Sequence, residues 1–242
     1  MNEHSNRRGD ITALAGTLVF PSVLTFAYFV VFAGHAASSP IYGVGKLMQF
    51  GFPAVWVFLI AREKFEWATL RGEGRTRDGI LIGAVFGLFV AAAMIALALL
   101  WLKPTGFLDE PAVAIQGKIG DMHLDSLPAY ILASVFYCVF HSLLEEYYWR
   151  WFVFKRLKPF VGVPSAILVS SLGFMAHHVI VLAMFFGWTS PATYLFSVCV
   201  ASGGAFWAWI YERSGSIYAP WISHALLDCG IFILGYLLGG PG

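Results

Sequence analysis

The sequence predicts an all-α fold: a polytopic transmembrane helical bundle of about seven spans, forming a single membrane domain over 1–242. Three observations predict it. Of 242 residues, 59% are hydrophobic and only 12% are charged, whereas a soluble domain carries about 25% charged residues. Apolar runs recur that are long enough for a helical crossing of about 20 residues. The Lys and Arg residues collect in alternate connecting segments. Surface this apolar needs a lipid bilayer as its partner. A net charge of +1 with no dense basic patch offers nothing to nucleic acid.

Taken in order, the spans are expected at 12–34, 45–61, 79–102, 128–154, 163–187, 191–211 and 216–238. The first follows Arg7 and Arg8 and precedes the small residues Ala33, Ala36 and Ala37. Its apolar stretch exceeds the roughly 7–15 residues of a signal-peptide core, so it reads as a retained anchor. The segment 103–127 carries Asp109, Glu110, Asp121 and Asp125. It reads as a solvated connector, with a substrate-admitting cap as the alternative. Cys138, Cys199 and Cys229 each lie inside an apolar run without metal-binding spacing, and read as small buried hydrophobes.

Basic residues set the orientation. With the N-terminus inside, the inner segments receive Arg7, Arg8, Arg62, Lys64, Arg71, Arg75, Arg77, Lys155, Arg156, Lys158 and Arg213, eleven in all. The outer segments receive Lys46, Lys103 and Lys118, which is three. The expected placement is an N-inside, C-outside integral membrane protein. The compact length is in keeping with a prokaryotic cytoplasmic membrane.

Charged side chains at membrane depth cost several kcal/mol and persist where function or pairing requires them. The first three spans contain none in their interiors. Spans four, five and seven contain His141, Glu145, Glu146, Arg150, His177, His178, His224 and Asp228. Residues four apart share a helix face. Glu146 and Arg150 suit an internal ion pair in this spacing, although Arg150 could instead snorkel to the inner interface. His141 with Glu145, and His224 with Asp228, repeat the spacing. A carboxylate so placed can fix a histidine's tautomer. Counted from the inner end of each span, Glu145, His178 and His224 fall roughly 12–23 Å deep at ~1.5 Å per residue. The neighbouring Tyr147, Tyr148, Trp149 and Trp151 read as interface anchors and packing, and Phe174 as core.

Three chemistries fit such residues. Water activation for hydrolysis needs a base, an oxyanion stabiliser and an acid. Glu145, His178 and His224 could divide those tasks. The same three would be the ligands if a metal were used, and two histidines with a carboxylate suit zinc, although no H-E-x-x-H occurs. A proton relay for a coupled transporter is the third, against which the polar groups cluster in one zone. A serine mechanism at Ser223 lacks any partner pattern, and G-x-S-x-G is absent.

The order Glu145-Glu146-Tyr147-Tyr148-Trp149-Arg150, then Phe174 to His178, then His224 to Asp228 resembles the CPBP family. This family comprises CAAX proteases and bacteriocin-processing enzymes, and is also called the ABI family. The resemblance covers about 128–238, the catalytic helices; the three spans within 12–102 match only as generic membrane helices. It implies an intramembrane endopeptidase acting on a membrane-associated or lipidated peptide or protein. By analogy Glu145 activates water together with His178, while His224 and Asp228 bind the oxyanion, and Glu146 and Arg150 give support. Direct glutamate chemistry without a cofactor is favoured over zinc. Asp228 stands where many members have Asn. An ionised Asp cannot donate to an oxyanion, so orienting His224 is its preferred role. His141 and His177 lie outside the pattern. The alternatives from other classes are a non-catalytic binding or immunity protein of the same fold, and a proton-coupled transporter.

Overall fold

A computed structural model describes the backbone of residues 3–33, 38–64 and 75–241, and the side chains of 9–33, 40–64 and 75–241. Arg71, Ala36 and Ala37 lie outside the described residues. Every element described is helical, with no strand. Among the described residues seven helices are long and apolar enough to cross a membrane: Gly9–Val31, Pro40–Ile60, Thr76–Leu102, Leu127–Val161, Val163–Phe186, Pro191–Ser214 and Tyr218–Gly239. Large apolar side chains point outward along them, among them Leu47, Phe89, Leu100 and Leu132. Such faces are stable only against lipid.

Two expectations need correction at this level. The fourth span is longer than 128–154, because the basic segment Lys155–Val161 continues the helix. It ends only at Gly162, whose φ of +76° closes the turn into the fifth span and which a side chain would strain. The 103–127 segment is not a plain connector. It holds a helix, Asp109–Asp121, with Asp109 and Glu110 in its first turn and Lys118 in its last, the order the helix dipole favours.

Five stretches run as π-helix: Ala27–Val31, Val55–Ile60, Ala98–Leu102, Phe136–His141 and Tyr147–Phe154. All are predominantly apolar or aromatic, with His141 and Arg150 as the ionisable exceptions. Two of them flank the short α-helical segment Ser142–Glu146, so the paired glutamates sit between two widened turns. Such turns are concentrated at functional sites.

The chain forms two compact units, Met1–Leu70 with Tyr147–Trp209, and Arg71–Glu146 with Ile210–Gly242. In the first unit the Tyr148 hydroxyl donates to the Thr17 carbonyl at 2.7 Å. Trp149 packs where Gly173 leaves no side chain. Tyr148, Trp149 and Trp151 are buried, so these aromatics are packing and not interface anchors. At one end Arg156 donates to Asp10 at 2.8 Å and to Glu63 at 2.5 Å, and Trp56 Nε1 donates to Asp10 at 3.0 Å. Cys199, expected to be buried, is exposed. It shares an outward face of the sixth span with Leu195 and Val198, where lipid does the covering.

In the second unit the third and seventh spans lie against each other along small residues. Gly79, Gly83, Gly87 and Ala91 are buried on one face of the third span. A Cβ on Gly83 would collide with the Ala219 carbonyl, and one on Gly87 would stand 2.5 Å from the Ser223 oxygen. Backbones approach this closely only where side chains are missing. Ser223 and Ala219 are fully buried there, so this contact fixes the helix segment that carries His224.

Candidate active site

The second unit gathers His141, Glu145, Glu146, His224 and Asp228. Glu145 and Glu146 come from the short segment Ser142–Glu146, and His224 and Asp228 from the seventh span. Glu145, Glu146 and His224 are all buried. The His224 ring stands between the two consecutive glutamates. Its Nδ1 lies 2.7 Å from Glu146 Oε1, a hydrogen bond, and its Nε2 lies 3.7 Å from Glu145 Oε2. Successive residues of a regular α-helix point about 100° apart, at 3.6 residues per turn. Here both reach one imidazole.

Since a carboxylate only accepts, the His224 Nδ1 carries the proton of this bond. The tautomer is thereby set, and the partner that sets it is Glu146. Asp228, favoured from its spacing as the orienting residue, has its Oδ1 3.6 Å from His224 Nε2. That is close ionic company but beyond a hydrogen bond. Glu146, expected from its spacing to serve Arg150, also bonds a histidine 78 residues away. His141 Nε2 lies 3.9 Å from Glu145 Oε1. Glu145 therefore has one oxygen toward His141 and the other toward His224.

The first unit holds the remaining candidates. His178 Nδ1 donates to the Phe174 carbonyl at 2.8 Å. That bond fixes the ring and makes Nε2 the acceptor in the neutral tautomer. His177 is buried and stacks on Trp149 with ring centroids 6.0 Å apart and planes 4° off parallel. Of the two adjacent histidines, His178 has the tethered, base-like arrangement and His177 the packed one. Arg150 does not snorkel: it is buried, its Nη2 donates to the Gly204 carbonyl at 3.2 Å, and its guanidinium lies 5.0 Å from the Phe174 ring and 5.1 Å from the Trp207 ring. Phe174 is core, as expected.

Beside the ionisable cluster the second unit has an apolar groove of about 440 Å³. It is lined by the fourth span from Leu127 to Val139 and by the seventh from Cys229 to Leu237. Its inner end, at Cys138 and Cys229, is next in sequence to Asp228 and one turn from His141. Sequence reasoning found neither this groove nor the role of Glu146. Among the described residues no group of three or more His, Cys, Asp and Glu stands ready to hold a metal ion. The groups nearest to such a set are Glu145, His224 and Asp228. Their donor atoms at 3.6–3.7 Å are somewhat wider apart than the roughly 3.4 Å that ligands about 2.0–2.1 Å from a tetrahedral zinc would have.

Residues 127–230 match the model of the Rce1-like family, described as type II CAAX prenyl endopeptidase. No curated protein and no solved structure matches the chain. The matched segment contains all three motifs, from Glu145 to Asp228, and every ionisable residue of the candidate site. Over that segment the chain is similar to the CPBP family of CAAX-type membrane proteases, to which the Rce1-like model belongs.

Proposed function

We propose that this protein hydrolyses a peptide bond of a membrane-associated polypeptide, with Glu145 activating water directly and prenylated CAAX-type tails as the substrate class. The observation that carries the reading is the His224 ring held between Glu145 and Glu146. Glu145 takes the proton of the attacking water, and His178, whose Nε2 is the acceptor in the neutral tautomer, is the second candidate base. As the water oxygen adds to the carbonyl carbon, charge develops on the carbonyl oxygen. His224 stabilises it from Nε2, which carries a proton for donation only in the doubly protonated ring, because the Nδ1 proton is committed to Glu146. Asp228, on the same edge of the ring, balances that charge and steers the imidazole. Preorganised donors of this type contribute about 10²–10³ in rate.

The test is cleavage of a membrane-peptide panel, with and without a prenylated cysteine, by purified protein beside Glu145→Ala and His178→Ala. Both variants are expected to lose activity, and a chelator to leave the wild type unaffected. Chelator-sensitive cleavage restored by zinc would replace direct glutamate chemistry with metal chemistry on Glu145, His178 and His224. A wild type that cuts nothing, yet retains a bound peptide, would make the protein a binder; pH-dependent flux without cleavage would make it a transporter.

A further inference from the structure

We infer that His141 is a further catalytic residue: the acid that protonates the leaving amine. The inference rests on the peptidase reading and fills a role which that reading leaves without a holder. Amide hydrolysis moves two protons, one off the attacking water and one onto the departing nitrogen. The groups assigned so far account for the first proton and for the oxyanion.

The geometry around Glu145 points to His141 for the second. The carboxylate has one imidazole at each oxygen: His224 Nε2 at 3.7 Å from Oε2 and His141 Nε2 at 3.9 Å from Oε1. The two rings are not equivalent. The side chain of His224 is 5% exposed and its Nδ1 proton is held by Glu146. That of His141 is 21% exposed. Its ring lies 5.2 Å from Tyr137, which in turn stacks on Phe232 at 5.6 Å. Phe232 and Cys138 line the apolar groove, so Tyr137 links the more exposed His141 ring to that lining. The ionisable groups around it are Glu145 and Tyr137 on its own span. The seventh span, which packs against this segment, contributes His224, Asp228 and Cys229.

The proton balance closes without any other reactant. Water gives a proton to Glu145 as its oxygen bonds to the carbonyl carbon. The carbon–nitrogen bond then breaks as protonated His141 gives its Nε2 proton to the nitrogen. The proton on Glu145 passes to His141, and both groups return to their starting states. One peptide bond and one water become a carboxylic acid and an amine. The i,i+4 relation of His141 to Glu145 keeps donor and carboxylate on one rigid turn.

The leaving group separates this role from a structural one. The experiment uses full-length protein in lipid nanodiscs and two substrates with the same acyl portion, one an amide and one an ester of a phenol. A phenolate departs without a proton, so its release needs no acid. In His141→Gln and His141→Ala, kcat on the amide is expected to fall by about 10²-fold or more, and on the ester by about threefold or less. Thermal melting shows that both variants are folded. Equal losses on amide and ester would overturn the inference, because they would mean a displaced Glu145; so would an amide rate that stays at the wild-type level. Glu145→Gln on the same pair is the control for the reading beneath: if it still cuts the amide, Glu145 is not the base, and if the wild type cuts neither substrate the peptidase reading itself falls.

Discussion

Glu146 is the residue whose role changes most between spacing and structure. Its Oε1 accepts the Nδ1 proton of His224 at 2.7 Å, and the side chain is fully buried. A carboxylate in that position fixes the ring's rotation and keeps Nε2 toward Glu145; partners of this kind are worth about 10–100-fold where they have been removed. Glu146→Gln preserves the volume but can offer either its oxygen or its NH₂ to the ring, so the tautomer is no longer dictated. The expected result is a kcat lower by about 10–100-fold with KM nearly unchanged. A KM effect alone would mean that Glu146 holds substrate and not the ring. The sequence contained the residue, but its partner is 78 positions away, and spacing arguments reach only along one helix. His141 with Glu145, and His224 with Asp228, were legible because each pair lies on one turn; the contacts at 3.9 Å and 3.6 Å follow that reading. What spacing could not rank was which carboxylate makes the true hydrogen bond.

At the scale of the element, the seventh span is positioned by what the third span lacks. Gly83 and Gly87 let its backbone come so close that a Cβ at either site would meet a carbonyl oxygen. Ser223, the residue at the Gly87 contact, directly precedes His224. Gly83→Val therefore forces the seventh span outward. Overpacking of this kind costs about 1–3 kcal/mol, and it also moves His224 away from Glu146. Thermal unfolding in detergent should show a lowered midpoint, with activity lost below that midpoint as well. Gly16→Ala is the comparison, because nothing lies within 4 Å of a Cβ there; a midpoint at or above the wild-type value is expected from the better helix former. Equal effects at the two sites would show that the close approach is not what holds the helices. The pattern Gly79, Gly83, Gly87 was readable in the sequence as small residues at four-residue intervals, and it is the signal that would have paired these spans in advance. The seven spans themselves were legible from apolar length. The helical extension Lys155–Val161 was not, because its three basic residues look like a loop until Arg156 is seen joined to Asp10 and Glu63. Nor were the π-helical stretches, since a wider turn differs from an α-turn in hydrogen-bond register and not in composition.

For the whole molecule the decisive quantity is the direction in which the bundle crosses the bilayer. If all seven candidate helices of the described residues cross the bilayer, the two termini lie on opposite sides. We propose the N-terminus inside, because that choice places eleven Lys and Arg residues in inner segments against three in outer ones. The excess is spread over four separate segments, so neutralising any one of them leaves the bias in place. Arg156 adds structural weight. It joins the first, second and fourth spans through Asp10, Trp56 and Glu63, and such an ionic cluster belongs at one membrane face. The helix Asp109–Asp121 then lies outside, with a single basic residue, Lys118. Two reporters fused after the last residue test the orientation. An enzyme that matures only after export should be active there, and a fluorescent protein that folds only in the cytoplasm should stay dark. The reverse pair of signals would invert the bundle. The inverted bundle would bury the same glutamates and histidines, but water and substrate would reach them from the opposite compartment, so the orientation decides on which side of the membrane the proposed substrate must lie.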